Sequence, residues 1–115
     1  MAGLLQDKAI IITGGSTGIG RATALRAAQE GARLTIADVN IKDGEAVVAE
    51  IKSKGGAAQF TKTDVTQSAE VKAMIAATVS AYGRLDGAFN NAGIEGHFTS
   101  ITKMTEEEYD RTANV

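Results

Sequence analysis

Short apolar runs alternate along this chain with longer segments whose apolar residues recur every three or four positions. KAIIIT (8–13) is continuous and bounded by Gly14, which suits a strand buried on both faces of a parallel sheet. GIGRATALRAAQEG (18–31) follows as a helix stopped by Gly31, with a small inner face of Ala24, Ala27 and Ala28. RLTIAD (33–38) is a second strand. NIKDGEAVVAEIKSKGG (40–56) is a helix with Asn40 as its N-cap, Val47, Val48 and Ile51 as its apolar stripe, and Gly55 and Gly56 as its stop. AAQFTKTDV (57–65) reads as a third strand. TQSAEVKAMIAATVSAYG (66–83) reads as a helix carrying Val71, Ile75, Thr78, Val79 and Tyr82 at helical spacing. LDGAFNNAG (85–93) is a fourth strand ending in a polar turn, and Thr105 with Glu108 has the spacing of a capping box that opens a further helix.

Strands alternating with helices imply βαβ crossovers. The expected fold is α/β: a Rossmann-type, doubly wound parallel sheet of about four strands in a three-layer α/β/α arrangement. Residues 1–115 read as one domain, incomplete at its C-terminus because the chain stops inside the last helix. A strand order of 3-2-1-4 places the fourth strand at an edge, exposing Phe89 and unpaired backbone groups, so self-association into a homo-oligomer is expected.

Composition narrows the function classes. Hydrophobic residues make up 43% and charged residues 23% of the chain, as in a globular domain. The formal net charge is -2 with no basic cluster, which argues against a nucleic-acid partner. There is no cysteine, and the single histidine, His97, builds no cluster, so no metal site is expected. The N-terminus lacks a basic region and its apolar run is broken by Gln6, Asp7 and Lys8, and no apolar stretch reaches the roughly 20 residues of a bilayer span. The expectation is a cytoplasmic protein with no membrane partner.

The chemistry is concentrated in TGGSTGIG (13–20), between the first strand and the first helix. The first amides of a helix point outward without partners and its dipole favours negative charge, so a glycine loop at this place suits a phosphate. Gly14 would permit the tight turn, Gly18 the approach of backbone to a pyrophosphate, and Gly20 close packing of helix on strand. Asp38 ends the second strand near the distance of roughly 20 residues expected for an acid that accepts from an adenosine ribose. The same carboxylate would repel a 2′-phosphate, which favours NAD over NADP. A P-loop is excluded because Gly20 is followed by Arg21 and Ala22 in place of Lys and Ser or Thr. A site for S-adenosylmethionine also uses a glycine loop and an acid after the second strand, and these two features alone leave it open.

TGGSTGIG, the Asp64-Val65 pair, NNAG at 90–93 and the late Asn114-Val115 pair resemble, in order and spacing, the short-chain dehydrogenases/reductases over essentially the whole chain. The combination displaces the methyltransferase reading. The resemblance implies that Asp64 meets the adenine amino group, that Val65 shapes the adenine pocket, and that the Asn90–Gly93 element lies beside the cofactor and braces the glycine loop. The implied cofactor-binding residues are Gly14, Ser16, Thr17, Gly18, Ile19, Gly20, Asp38, Asp64, Val65, Asn90, Ala92 and Gly93. The implied chemistry is hydride transfer between a nicotinamide and a carbonyl or alcohol. It uses a Ser, a Tyr-x-x-x-Lys pair and a relay Asn, of which Asn114 alone is matched.

Tyr82 is followed four residues on by Asp86 and Tyr109 by Ala113, so neither tyrosine has the lysine that would lower its pKa. His97 reads as a loop residue. The chain is therefore expected to be inactive alone, as the dinucleotide-binding half of an oxidoreductase. The alternative is a stand-alone dinucleotide-binding module without chemistry.

Overall fold

The computed structural model describes residues 3–91. Four strands, β1 (Ala9–Thr13), β2 (Arg33–Asp38), β3 (Ala57–Lys62) and β4 (Gly87–Asn90), form one parallel sheet in the order β3-β2-β1-β4. They alternate with α1 (Gly18–Gln29), α2 (Ile41–Ser53) and α3 (Ser68–Tyr82). This is the doubly wound parallel architecture that the alternation of elements predicts.

The period-2 geometry of the strands divides their side chains between two cores. Ile12, Leu34 and Ile36 pack with Ala24 and Ala27 of α1 and with Val47, Val48 and Ile51 of α2 on one face. Ile11 and Ala37 pack with Val71, Met74 and Ile75 of α3 on the other. Complete burial of a Val, Leu or Ile side chain contributes about 1.5–3 kcal/mol, so either face suffices to hold its helices to the sheet. The α3 face also carries a hydroxyl pair: Thr78 Oγ1 donates to Thr35 Oγ1 at 2.8 Å, and Gln59 Nε2 donates to the same Thr35 oxygen at 3.0 Å.

Helix boundaries follow local chemistry. Asn40 caps α2, its side chain accepting from the Asp43 amide at 3.0 Å. Gly31, Gly55 and Gly83 adopt positive φ just beyond the three helices, where a glycine carries no steric cost.

Several boundaries differ from the sequence reading: β1 begins at Ala9 rather than 8, β4 begins at Gly87 rather than 85, and the largest differences lie around Asp64. β3 ends at Lys62 rather than 65, and α3 starts at Ser68 rather than 66. The reason is a turn at Asp64, whose carboxylate accepts from the Thr66 amide at 2.9 Å and whose carbonyl accepts from the Gln67 amide at 2.9 Å. β4 occupies the sheet edge among the described residues, and Phe89 is 39% exposed there. The helix expected from Thr105 lies outside the described residues, and no helix among them is long and apolar enough to cross a membrane.

Candidate functional site: a glycine loop and an acidic cleft at the carboxyl edge of the sheet

The carboxyl ends of β1, β2, β3 and β4 converge on the loop between β1 and α1. Gly14 leaves β1 with φ +63° and Gly18 opens α1 with φ +57°, both in the left-handed region. A Cβ on Gly18 would meet nothing within 4 Å, so its need for glycine is conformational, and the space in front of it is open. Thr17, the N-cap of α1, makes no side-chain cap bond, and the first turn holds no acidic residue. Thr17, Gly18 and Ile19 are exposed, Ile19 at 71%. The outward amides and positive dipole end of α1 are thus presented to solvent across an uncapped turn, the arrangement an anion requires.

Gly20 has the opposite environment. A Cβ there would fall 1.9 Å from the Gly14 carbonyl oxygen and 2.9 Å from Asn91 Nδ2. α1 can therefore lie against the loop only with glycine at this position. Asn91 fastens the same carbonyl: its Nδ2 donates to the Gly14 oxygen at 3.4 Å and its amide donates to the Thr13 carbonyl at 3.1 Å. Thr13 Oγ1 donates to Asn90 Oδ1 at 2.6 Å. The ends of β1 and β4 are in this way tied together directly beneath the glycine loop.

Beside the loop, an open cleft of about 260 Å³ is lined by Gly14 and Asp38 on one side and by Thr63, Asp64, Val65 and Thr66 on the other. Asp38 Oδ2 accepts from the Ser16 amide at 3.3 Å and from the Ser16 hydroxyl, while Oδ1 accepts from the Asn40 amide at 3.1 Å. Ser16 is itself 4% exposed, so its role here is to join the glycine loop to the acid at the end of β2. Asp64 is held by its own turn, its Oδ1 accepting from the Thr66 amide and, at 2.6 Å, from the Thr66 hydroxyl. Val65 packs partly against the α3 core. The lining also includes Val39, 59% exposed, and the buried Thr63, neither of which the motifs single out. An exposed apolar residue directly after the strand-ending acid is the signal that points to Val39.

Tyr82 lies elsewhere. Its hydroxyl donates to the Leu34 carbonyl at 2.7 Å, near the amino end of β2 and thus at the opposite edge of the sheet. Burial raises its pKa, with the Arg33 charge acting in the lowering direction. This is the wrong place and the wrong direction for a proton-transfer group. Ala92, Gly93, His97, Tyr109 and Asn114 lie outside the described residues.

The short chain dehydrogenase family matches residues 8–115. A 2,5-dichloro-2,5-cyclohexadiene-1,4-diol dehydrogenase from Sphingobium indicum is 41% identical over 111 residues, covering 96% of this chain and 43% of the relative. A levodione reductase from Leifsonia aquatica is 41% identical over 111 residues, covering 95% of this chain and 42% of the relative. The crystal structure of a hydroxysteroid dehydrogenase from Escherichia coli superposes with a TM-score of 0.73 at 35% identity, covering 75% of this chain and 37% of the other. The chain spans less than half the length of these relatives. Together with the strand order and the glycine loop, these likenesses establish that the chain belongs to the short-chain dehydrogenase/reductase family, of which it carries the N-terminal half.

Proposed function

We propose that this chain is the dinucleotide-binding half of an NAD-dependent short-chain oxidoreductase, cytoplasmic and assembled as a homo-oligomer. The observation that carries the reading is the cleft beside the glycine loop. It brings the Asp38 and Asp64 carboxylates together beside Gly14, with Asp38 tied through Ser16 to the loop that leads into the uncapped α1, and among the described residues its lining contains no lysine or arginine.

The residues present suit a dinucleotide in their chemistry. The amides of Thr17, Gly18 and Ile19 would receive the diphosphate, which α1 leaves without a competing acid. Asp38 would accept from the adenosine ribose hydroxyls, and Ser16 and Asn40 hold its carboxylate in place for them. Asp64 would accept from the adenine amino group, a donor-only partner that matches a carboxylate. Gly14, Gly20 and Asn90 would keep the loop closed against the sheet, and the family resemblance assigns Ala92 and Gly93 to the cofactor as well. A 2′-phosphate would meet the charge of Asp38 with no cation among the described lining residues to offset it, hence NAD over NADP.

When bound, the nicotinamide supplies or receives the hydride exchanged with a carbonyl or alcohol. This chain's contribution is to hold and orient the cofactor, with Asn114 as the relay residue. Neither Tyr82 nor Tyr109 has a lysine four residues on, so proton transfer to the substrate belongs to the remainder of the family's fold.

Calorimetric titration of NADH into the chain and its Asp38→Ala variant tests the assignment. Loss of charge-assisted bonds to the ribose should weaken binding by about 1.5–3 kcal/mol. An unchanged dissociation constant would remove Asp38 from the site.

A further inference from the structure

Glu70 stands at the third position of α3, where a glutamate ordinarily reaches back to the amide of its own N-cap residue. Here it does not. The Gln67 amide is taken by the Asp64 carbonyl at 2.9 Å, and Glu70 Oε1 instead accepts from the amide of Asp64 itself at 3.0 Å. The capping carboxylate is displaced by one turn of chain onto the wall of the cleft.

The consequence lies in how that wall is held. The Thr63 amide donates to the Asp38 carbonyl at 3.0 Å, a continuation of the β2–β3 ladder. The Thr66 amide donates to the Asp64 carboxylate. The amide of Asp64 donates to a side chain six residues further on, Glu70. Glu70 is half-buried and lies in the first turn of α3, where the helix dipole favours its negative charge. A helix packed firmly on the sheet through Val71, Met74 and Ile75 therefore anchors the segment that carries Asp64 and Val65.

We infer that Glu70 is a positioning residue for the adenine end of the dinucleotide: through the Asp64 amide it fixes the backbone from which the Asp64 carboxylate and the Val65 side chain face the cleft. The inference rests on the dinucleotide reading given above. It adds to that reading a residue that touches neither cofactor nor substrate. Glu70→Ala releases the Asp64 amide, while Glu70→Gln keeps an oxygen acceptor at the same reach and should restore the wall.

The test is a calorimetric titration of the chain, Glu70→Ala and Glu70→Gln with NADH and with reduced nicotinamide hypoxanthine dinucleotide, which lacks the exocyclic amino group. Because the lost bond lies within the protein and reaches the ligand only through the Asp64 wall, Glu70→Ala should weaken NADH binding by part of a charged hydrogen bond's worth, roughly fivefold to tenfold, with near-complete rescue by Glu70→Gln. With the hypoxanthine dinucleotide the Glu70→Ala loss should shrink to about twofold or less, because that ligand offers no amino group for Asp64 to accept from. Amide exchange should also accelerate at Asp64 in Glu70→Ala and stay slow at Ile11 and Ile36. Equal losses for the two ligands would overturn the inference by reducing Glu70 to general stability, as would unchanged NADH binding in Glu70→Ala. Absence of NADH binding by the unmodified chain would overturn the dinucleotide reading as well.

Discussion

Replacing Gly20 by alanine sets two principles against each other. Gly20 is the third residue of α1, and in a helix interior alanine is favoured over glycine by roughly 0.5–1 kcal/mol. Propensity alone therefore predicts a more stable protein. The packing predicts the reverse: the added Cβ would stand 1.9 Å from the Gly14 carbonyl oxygen and 2.8 Å from its carbon. Both are backbone atoms, and the oxygen is further held by Asn91. Ordinary contact requires α1 to retreat by more than about 1 Å, and overpacking of this kind costs about 1–3 kcal/mol, with rigid backbone at the upper end. After the helix-propensity gain is subtracted, a net loss of about 2 kcal/mol remains, equivalent to a fall of about 8 °C in Tm for a domain of this size. The retreat also opens the glycine loop, so NADH binding should weaken together with stability. Urea denaturation, thermal melting and NADH titration of Gly20→Ala measure both effects. A variant as stable as the parent with unaltered NADH affinity would refute the claim that close approach of α1 to the loop builds the site.

Further outcomes follow from residues outside the cleft. The Asp86 carboxyl is held below its ordinary value of 3.8, chiefly by the side-chain hydrogen bond from Arg84, and it also accepts from the Ala9 amide at 2.8 Å. A carboxyl with a lowered folded-state pKa stabilises above 3.8 and loses that contribution as pH falls through the folded value, so Asp86→Asn should be less stable than the parent near neutrality. That difference should disappear in strong acid; a gap that persists there would mean the contribution is not protonation-linked. Phe89 on the edge strand β4 should drive self-association, so Phe89→Lys should lower the sedimentation coefficient at a fixed concentration. An unchanged coefficient would place the association surface elsewhere.

The parts of this molecule that were legible in its sequence are those governed by short-range pattern. RLTIAD predicts β2 with both ends correct because Gly31 and Asn40 punctuate it, and Asn40 caps α2 as its position suggests. Val47, Val48 and Ile51 are buried because a three- and four-residue spacing admits one inward face. The overrun of β3 arises because TKTDV continues the alternation, whereas the Asp64 turn is decided by a side chain bonding its own backbone two residues on. The ties that organise the cleft join residues distant in sequence: Ser16 with Asp38, Thr13 with Asn90, and Asn91 with the carbonyl of Gly14. The diversion of Glu70 from its own N-cap to Asp64 is likewise invisible to spacing, because a glutamate at the third helical position suits either partner.

The most direct test of the dinucleotide assignment is calorimetric titration of the intact chain with NADH and then with NADPH under identical conditions. NADH should bind and NADPH should bind more weakly, because its 2′-phosphate would meet Asp38 in a cleft whose described lining residues include no lysine or arginine. Equal or tighter binding of NADPH would contradict the role assigned to Asp38. Failure of both to bind would contradict the claim that the glycine loop and the acidic cleft form a working half-site.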